Sequence, residues 1–417
     1  MAQIISASSP ETCINSAVSL YKETFPEDNF DQSTLSKAFA PGRVNLIGGH
    51  TDYCQGFVLP LALSVRTYLV GKFNSTDDDQ VSIVTSNIKA PNNKYSFSLN
   101  DVRNGNEAAK ITDKTDPFRW ANYVMGVVSH FHGSCNLKKG FNLAIYSEVP
   151  LGGGVSSSAS IEVGVYTFLE NLTGDIAKSK AEKALNCQKA EHTYPGMPCG
   201  IMDQFISARG QKDQVLLIDC HKLDETRLIS FTDKVPVPKF LISNTNVDHE
   251  LASSEYPKRR DATIKAAKEC NKESLRYTSM DELNKALEEQ KIDQIIYNRA
   301  KHVINECART LDAAAAIENG DYNKVGDLMH QAHDSLAKLY EVSCPESDFL
   351  VECLRDQNGV FGSRMVGGGF GGCTVSIIDG ESDIDSIIEK TDQLYFEKFG
   401  RKATFYVSGP SEGAGFL

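Results

Sequence analysis

A glycine- and serine-rich segment, Gly152-Gly-Gly-Val-Ser-Ser-Ser-Ala159, does most to limit what this chain can fold into. Residues 141–149 before it alternate apolar positions as a strand does, and residues 161–172 after it repeat apolar positions at helical spacing. The glycines allow positive φ angles and close approach to the backbone. Serines that open a helix leave free N–H groups and a positive dipole end, which favour an anion. The segment therefore predicts a phosphate-binding loop, although a helix merely capped by serine fits these residues equally well.

Two better-known nucleotide-binding motifs are excluded. No Gly-Lys-Ser/Thr follows the glycines, so the segment is not a Walker A loop. A second glycine segment, residues 367–372, matches G-x-G-x-x-G in its letters alone. The dinucleotide motif requires a helix after the glycines, whereas the apolar run 373–378 predicts a strand. We therefore interpret residues 367–372 as a hairpin-like loop whose backbone can approach a ligand.

Length and composition restrict the class of protein. A chain of 417 residues exceeds the size at which one core stops growing, so two domains are expected. The net charge of −12 and the pI near 5.3 argue against nucleic-acid or membrane partners. We find no apolar run of membrane-spanning length and no signal peptide. The 11 cysteines, without a C-x-x-C pair, predict reduced thiols in a cytoplasmic protein.

Charged residues flank two irregular segments. Arg43, His50 and Asp52 cluster around a glycine pair between apolar runs, where the alternative is a surface ion-pair patch. Asp203 follows a stretch rich in proline and glycine and begins a short helix. Such an acid is either a helix cap or a general base presented to a cleft, and its chemistry alone favours neither.

Two further helices carry residue pairs on one face. Trp120 and Tyr123 lie three residues apart in a helix predicted over 119–128. They either pack in the core or line an adenine pocket. His330 and His333 share a face of a later helix. We expect these histidines to face solvent, because no third metal ligand lies near them in the sequence.

Three segments occur in an order that resembles the GHMP small-molecule kinases: residues 41–48, 152–159 and 367–373. Within that family, residues 50–53, 197–206 and 252–257 resemble the galactokinases of animals, and the likeness runs from about residue 39 to 405. The resemblance implies an α+β fold of two domains. Residues 1–210 would carry a mixed sheet, the ATP loop and the base. Residues 211–417 would pack helices on a largely antiparallel sheet, with the active site in the cleft between the domains.

The resemblance also implies ATP-dependent phosphorylation of the anomeric (C1) hydroxyl of α-D-galactose. Asp203 would be the base, and Arg43 would keep it ionised and stabilise the phosphoryl group. The residues implied to bind the sugar are Arg43, His50, Asp52, Asp203 and Tyr256. Those implied to bind ATP are Trp120, Tyr123, Gly152, Gly154, Ser156 and Ser157, with Ser157 and Glu191 for Mg²⁺. The expected partners are a small sugar and MgATP. The protein is expected to be a monomer.

One position departs from the family pattern. Gly49 stands where the family has a glutamate associated with a sugar hydroxyl far from the anomeric centre. We expect the chemistry to survive and sugar affinity to fall about ten- to a hundred-fold, as for a lost hydrogen bond to a charged group. The alternatives are an N-acetylgalactosamine kinase and a non-catalytic galactose and ATP sensor. Known sensors have a damaged serine loop, whereas residues 156–159 are intact here, which favours the enzyme.

Overall fold

The computed structural model describes residues 2–27, 31–232, 235–247 and 252–417, and leaves the side chains of residues 135 and 252–254 undescribed. The strands are β1 Gln3–Ile5, β2 Ser36–Asn45, β3 Phe57–Val58, β4 Pro60–Phe73, β5 Gln80–Thr85, β6 Lys94–Ser98, β7 Phe141–Ser147, β8 Gln214–Asp219, β9 Arg227–Ser230, β10 Lys239–Asn244, β11 Val360–Met365, β12 Cys373–Ile378, β13 Thr404–Ser408 and β14 Gly415–Phe416. The helices are α1 Pro10–Thr24, α2 Leu99–Arg103, α3 Ala121–His130, α4 Ser157–Thr173, α5 Lys180–Thr193, α6 Met202–Arg209, α7 Ala252–Glu269, α8 Met280–Glu288, α9 Gln294–Asn319, α10 Tyr322–Ser335, α11 Pro345–Arg355 and α12 Ile384–Phe399.

The first half of the chain is built on a mixed sheet with the order β14-β2-β4-β7-β5-β6. Strands β5 and β7 run parallel, and the other neighbours run antiparallel. Helix α4 lies against β2 and β4. Its apolar side chains pack with those of β7 in one buried cluster, for example Val163 and Phe168 with Leu143 and Ile145. The predicted succession of strand, glycine-serine loop and helix is therefore confirmed.

The second half is built on a sheet with the order β1-β13-β10-β12-β11, antiparallel except for the β1–β13 pair. Helices α10 and α11 cover β11, and α12 packs against α11. Strands β11 and β12 form an antiparallel hairpin around residues 366–372. The predicted hairpin is therefore confirmed, whereas the approach of its backbone to a ligand stays a prediction. A small third sheet, β3-β8-β9, combines β3 from before residue 210 with β8 and β9 from after it.

Two short strands connect the halves in a way that the sequence does not suggest. Strand β1, from the start of the chain, pairs in parallel with β13 in the second sheet. Strand β14 pairs with β2 in the first sheet. The division at residue 210 stays a prediction, and both pairings cross it.

The expectation that the histidines of helix α10 face solvent is wrong for the pair, because His333 is buried and His330 is only partly exposed. His333 is 4% exposed and its Nδ1 accepts a hydrogen bond from the backbone N–H of Met365. His330 accepts from the N–H of Ser363 through Nε2. The reason is that α10 lies on β11, which turns this helix face toward the strand. Separately, no helix in the described ranges is long and apolar enough to span a bilayer.

Candidate active site

A cavity of about 300 Å³ brings nearly all of the predicted site residues together. Its wall is formed by β2, the turn that follows β2, the glycine-serine loop, helices α3 and α5–α7, and the β11–β12 hairpin. Cavities of this size suit small ligands. The predicted residues found in the wall are Arg43, His50, Asp52, Tyr123, Gly152, Gly154, Ser156, Ser157, Glu191, Asp203 and Tyr256.

Asp203 is held by Arg43 in a two-pronged ion pair. Arg43 Nε donates to Oδ1 at 2.6 Å and Nη2 donates to Oδ2 at 2.5 Å, while Nη1 donates to the carbonyl of Gly154 at 2.5 Å. Asp203 lies in the first turn of α6, but Ile201 occupies the cap position. The helix-cap alternative is therefore wrong. The carboxylate faces the cavity with its charge balanced and its orientation fixed.

The glycine-serine loop joins Asp203 to the start of helix α4. Ser156 occupies the cap position with a positive φ of 61°, and its side chain makes no capping hydrogen bond. Its hydroxyl donates instead to Asp203 Oδ2. Gly152 also has a positive φ, of 68°, and a Cβ added there would meet no heavy atom within 4 Å. Open space therefore lies beside the loop at this position.

A second acidic group lies beside the loop and suits a hard cation. Glu191 on α5 accepts from Gln204 Nε2 at 2.5 Å and from the Ser158 hydroxyl. Burial, with the nearby charge of Asp203, raises the pKa of Glu191 to about 7. Glu162 is fully buried, and its Oε1 has no hydrogen-bond partner among the described residues. Two neighbouring carboxyl groups beside serine hydroxyls offer the oxygen ligands that Mg²⁺ prefers.

Glu162 is absent from the sequence predictions. A signal was present, since Ser158 and Glu162 are four residues apart and so share a face of α4. Ser157, the loop serine that the family resemblance implies for the metal, lines the cavity. Its role at the metal stays a prediction.

Three of the residues predicted to bind the sugar, His50, Asp52 and Tyr256, lie on the turn after β2 and on α7. His50 Nδ1 hydrogen-bonds with the Tyr53 hydroxyl at 2.8 Å, and its ring centroid lies 5.7 Å from that of Tyr256. Burial lowers the pKa of His50 to about 3, so the imidazole is neutral at pH 7. Burial and then the charge of Asp203 raise the pKa of Asp52 to about 6.

The two aromatic residues predicted for adenine occupy different places. Tyr123 lines the cavity, whereas the described wall does not include Trp120. The Trp120 indole N–H donates to the carbonyl of Asn92 at 3.0 Å, and its ring packs beside the first core. A role for Trp120 in binding adenine stays a prediction.

Gly49, the residue that differs from the family pattern, makes hydrogen bonds to buried polar groups. Its N–H donates to Glu306 Oε1 at 3.0 Å, and its carbonyl lies 3.0 Å from His302 Nε2. A Cβ added at Gly49 would lie 2.6 Å from Arg364 Nη2. Arg364 is missing from the sequence predictions because it reads as an ordinary residue of β11. A charged residue within an apolar strand, next to a glycine loop, was the available signal.

Three family signatures match the chain. The galactokinase galactose-binding signature covers residues 23–73, and the N- and C-terminal domains of the GHMP kinases cover residues 122–211 and 313–396. The galactose-binding signature includes the turn with His50 and Asp52, and the N-terminal domain includes the loop, Glu191 and Asp203. The matched segments therefore contain most of the cavity wall.

Known proteins give the same assignment. The chain is 46% identical to the galactokinase of Homo sapiens and 45% identical to that of Canis lupus familiaris, in each case over 91% of both chains. The structure of Lactococcus lactis galactokinase complexed with galactose superposes with a TM-score of 0.85, at 31% identity over 96% of this chain and all of that one. A mevalonate kinase, 18% identical with a TM-score of 0.59, shares the fold. This chain belongs to the galactokinase family of the GHMP kinases.

Proposed function

We propose that this protein transfers the γ-phosphoryl group of ATP to the C1 hydroxyl of α-D-galactose, giving galactose 1-phosphate and ADP. The observation that carries the proposal is the Arg43–Asp203 ion pair beside the glycine-serine loop in one cavity. A carboxylate next to a phosphate-binding loop is what transfer from a nucleotide to a hydroxyl requires. The identity to galactokinases over most of the chain supports the choice of sugar.

In the proposed reaction, the C1 oxygen attacks the γ-phosphorus while the bond to the β,γ-bridging oxygen breaks. The proton of the C1 hydroxyl passes to a carboxylate oxygen of Asp203, and ADP leaves. Arg43 holds Asp203 in position through both oxygens and places a positive charge next to the moving phosphoryl group. The Ser156 hydroxyl fixes Oδ2 from the other side.

Binding of the nucleotide is assigned to the loop and the acidic group. Gly152, Gly154, Ser156 and Ser157 would hold the phosphates, and Tyr123 with Trp120 would lie toward adenine. Ser157 and Glu191 would bind Mg²⁺, which when bound offsets phosphate charge. The buried carboxylates of Glu191 and Glu162 support this placement, because a cation relieves their repulsion.

The sugar is assigned to the opposite part of the cavity, against His50, Asp52 and Tyr256. The Asp52 carboxylate accepts hydrogen bonds from hydroxyls, and a neutral imidazole either donates or accepts. We also infer a cytoplasmic enzyme that acts as a monomer without nucleic-acid or membrane partners. The net charge of −12 supports the absence of polyanionic partners.

The test is release of ADP from MgATP by the purified protein, with galactose and with N-acetylgalactosamine in separate reactions. We expect turnover with galactose, and a loss of about 10²- to 10⁴-fold in kcat for Asp203→Asn, because general-base catalysis contributes about that much. Turnover with N-acetylgalactosamine alone would replace the proposed substrate. A protein that binds ATP but turns over neither sugar would be a sensor.

A further inference from the structure

The guanidinium of Arg364 lies in the wall of the cavity with too few partners. Arg364 is 1% exposed, and its Nε and Nη1 have no hydrogen-bond partner among the residues that the structure describes. Nη1 is 3.9 Å from Glu306 Oε1, which is beyond hydrogen-bond distance. Buried polar groups are normally paired, and buried charges more so. Among the described residues the guanidinium therefore lacks acceptors, which a ligand in the cavity would supply.

Glu306 does not serve as that acceptor in this structure, and three other donors engage its oxygens. Oε1 accepts from the N–H groups of Gly48 and Gly49 at 2.9 and 3.0 Å, and Oε2 accepts from Arg309 Nε at 2.8 Å. One carboxylate thus faces two guanidinium groups, those of Arg309 and Arg364. A positive charge is left over in this part of the wall.

Position 49 lies directly beside that charge, in the wall of the same cavity. A Cβ there would be 2.6 Å from Arg364 Nη2, so any side chain at this position would contact the guanidinium. Glycine provides none. The neighbouring His50 also has an unpartnered nitrogen, since Nε2 is buried without a described hydrogen-bond partner while Nδ1 is paired with Tyr53. His50 and Arg364, in the same wall, therefore both have nitrogen atoms without a described hydrogen-bond partner.

Arg364 lines the same cavity as Asp203, Asp52 and His50. A hexose whose C1 hydroxyl lies at Asp203 can turn C6, the carbon carried on C5 of the ring, toward Arg364.

We propose that the cavity accepts a galactose-type hexuronate, a sugar whose C6 is a carboxylate, with that carboxylate paired to Arg364. The proposal rests on the C1 phosphorylation proposed above and names its substrate class. A carboxylate matches the planar guanidinium with two parallel hydrogen bonds and supplies the single negative charge that is lacking. A phosphate dianion at C6 would carry two negative charges, one more than the unbalanced positive charge of Arg364. The transfer is unchanged: a new bond joins the C1 oxygen to the γ-phosphorus, ADP leaves, and Asp203 takes the proton.

The test compares galactose, galacturonate and galacturonamide with MgATP and the unmodified protein. The amide has the shape of the acid without its charge. We expect kcat/KM for galacturonate to exceed that for galacturonamide about 10- to 100-fold, as for a hydrogen bond to a charged group. Turnover of galactose with galacturonate unused, or used no better than the amide, overturns the inference and leaves the proposed function standing. Turnover of neither galactose nor galacturonate means that the proposed function itself fails. A preference for galactose 6-phosphate over galacturonate overturns the choice of a carboxylate.

Two variants of similar volume separate charge from crowding. Gly49→Glu supplies Arg364 with a carboxylate from the protein, whereas Gly49→Gln fills the same space without charge. We expect Gly49→Glu to lower kcat/KM for galacturonate at least about tenfold more than Gly49→Gln does. Galacturonate without nucleotide should raise the unfolding temperature of the unmodified protein and not that of Gly49→Glu. Equal effects of the two variants would refute the pairing with Arg364.

Discussion

Glu306 joins helix α9 to the turn that carries the sugar-binding residues, and its replacement gives a quantitative test. The carboxylate is fully buried and receives the N–H groups of Gly48 and Gly49 together with Arg309 Nε. In Glu306→Gln the amide oxygen can keep the two backbone hydrogen bonds. The amide NH₂ would then face Arg309, so a donor meets a donor. The buried guanidinium of Arg364 and the partly exposed one of Arg309 would also lose their counter-charge.

The size of the effect follows from the pKa of Glu306. Burial alone would raise that pKa, but the charge of Arg309, with smaller effects of His302 and Arg364, outweighs burial and lowers it from 4.5 to about 2. This difference corresponds to roughly 3 kcal/mol of folding free energy. Breaking a buried ion pair by removing one partner costs roughly 3–5 kcal/mol in other proteins. We therefore expect Glu306→Gln to lower the free energy of unfolding by about 3 kcal/mol at pH 7.

The effect has a defined dependence on pH. The folded-state pKa of Glu306 lies below the unfolded value, so the stabilisation is fully present above about pH 4.5 and is lost as pH falls toward 2. The variant has no charge to lose at this position. The difference in unfolding free energy between the two proteins should therefore narrow by roughly 1 kcal/mol between pH 7 and pH 3.5.

The assay is urea denaturation followed by far-ultraviolet circular dichroism at both pH values. The matched control is Glu318→Gln on the same helix, where an exposed carboxylate lies 3.6 Å from Arg227. An exposed pair of this kind contributes less than about 1 kcal/mol. If Glu306→Gln costs no more than Glu318→Gln, the ion pairing described for this buried group does not stabilise the fold.

Three further predictions concern sugar binding. Asp52 has a raised pKa of about 6 and is proposed to bind sugar hydroxyls as a carboxylate. Galactose affinity, measured by calorimetry without nucleotide, should therefore be about tenfold weaker at pH 5 than at pH 7; an affinity independent of pH would contradict this. In Gly200→Ala the new Cβ would lie 1.8 Å from Asp52 Oδ2, so the KM for galactose should rise about tenfold. The control is Gly409→Ala, whose Cβ would have no atom within 4 Å and which should leave KM unchanged. Equal KM values for the two variants would count against the clash. Tyr53→Phe removes the hydroxyl that orients His50 and should raise KM several-fold with little change in kcat; a fall in kcat alone would refute that role.

Local patterns in the sequence are enough to predict the main elements near the site. The change from period 2 to helical spacing around residues 152–159 locates β7, the loop and α4, because each period reflects contacts within a few residues. The strand after residues 367–372 likewise predicts the hairpin. Arg43, His50 and Asp52 cluster on one short segment, and this clustering alone marks them as candidates for a site.

Contacts between distant segments cannot be predicted in this way. The αL backbone of Ser156 and its hydrogen bond to Asp203 depend on how α6 packs beside the loop. The burial of His333 depends on α10 lying on β11. Arg364 lacks a described partner while Glu306 accepts hydrogen bonds from Gly48 and Gly49. The spacing of apolar residues in the sequence does not predict those hydrogen bonds.

The pairing of β1 with β13 has a consequence for how the protein is made. At about 5–20 residues per second, residues 3–5 leave the ribosome some 20–80 s before residues 404–406. Strand β2 likewise waits for β14 to cover its edge. Throughout that interval the nascent chain exposes two unpaired strand edges, which are sites of aggregation. Both sheets can therefore be completed only after nearly all of the chain has been made.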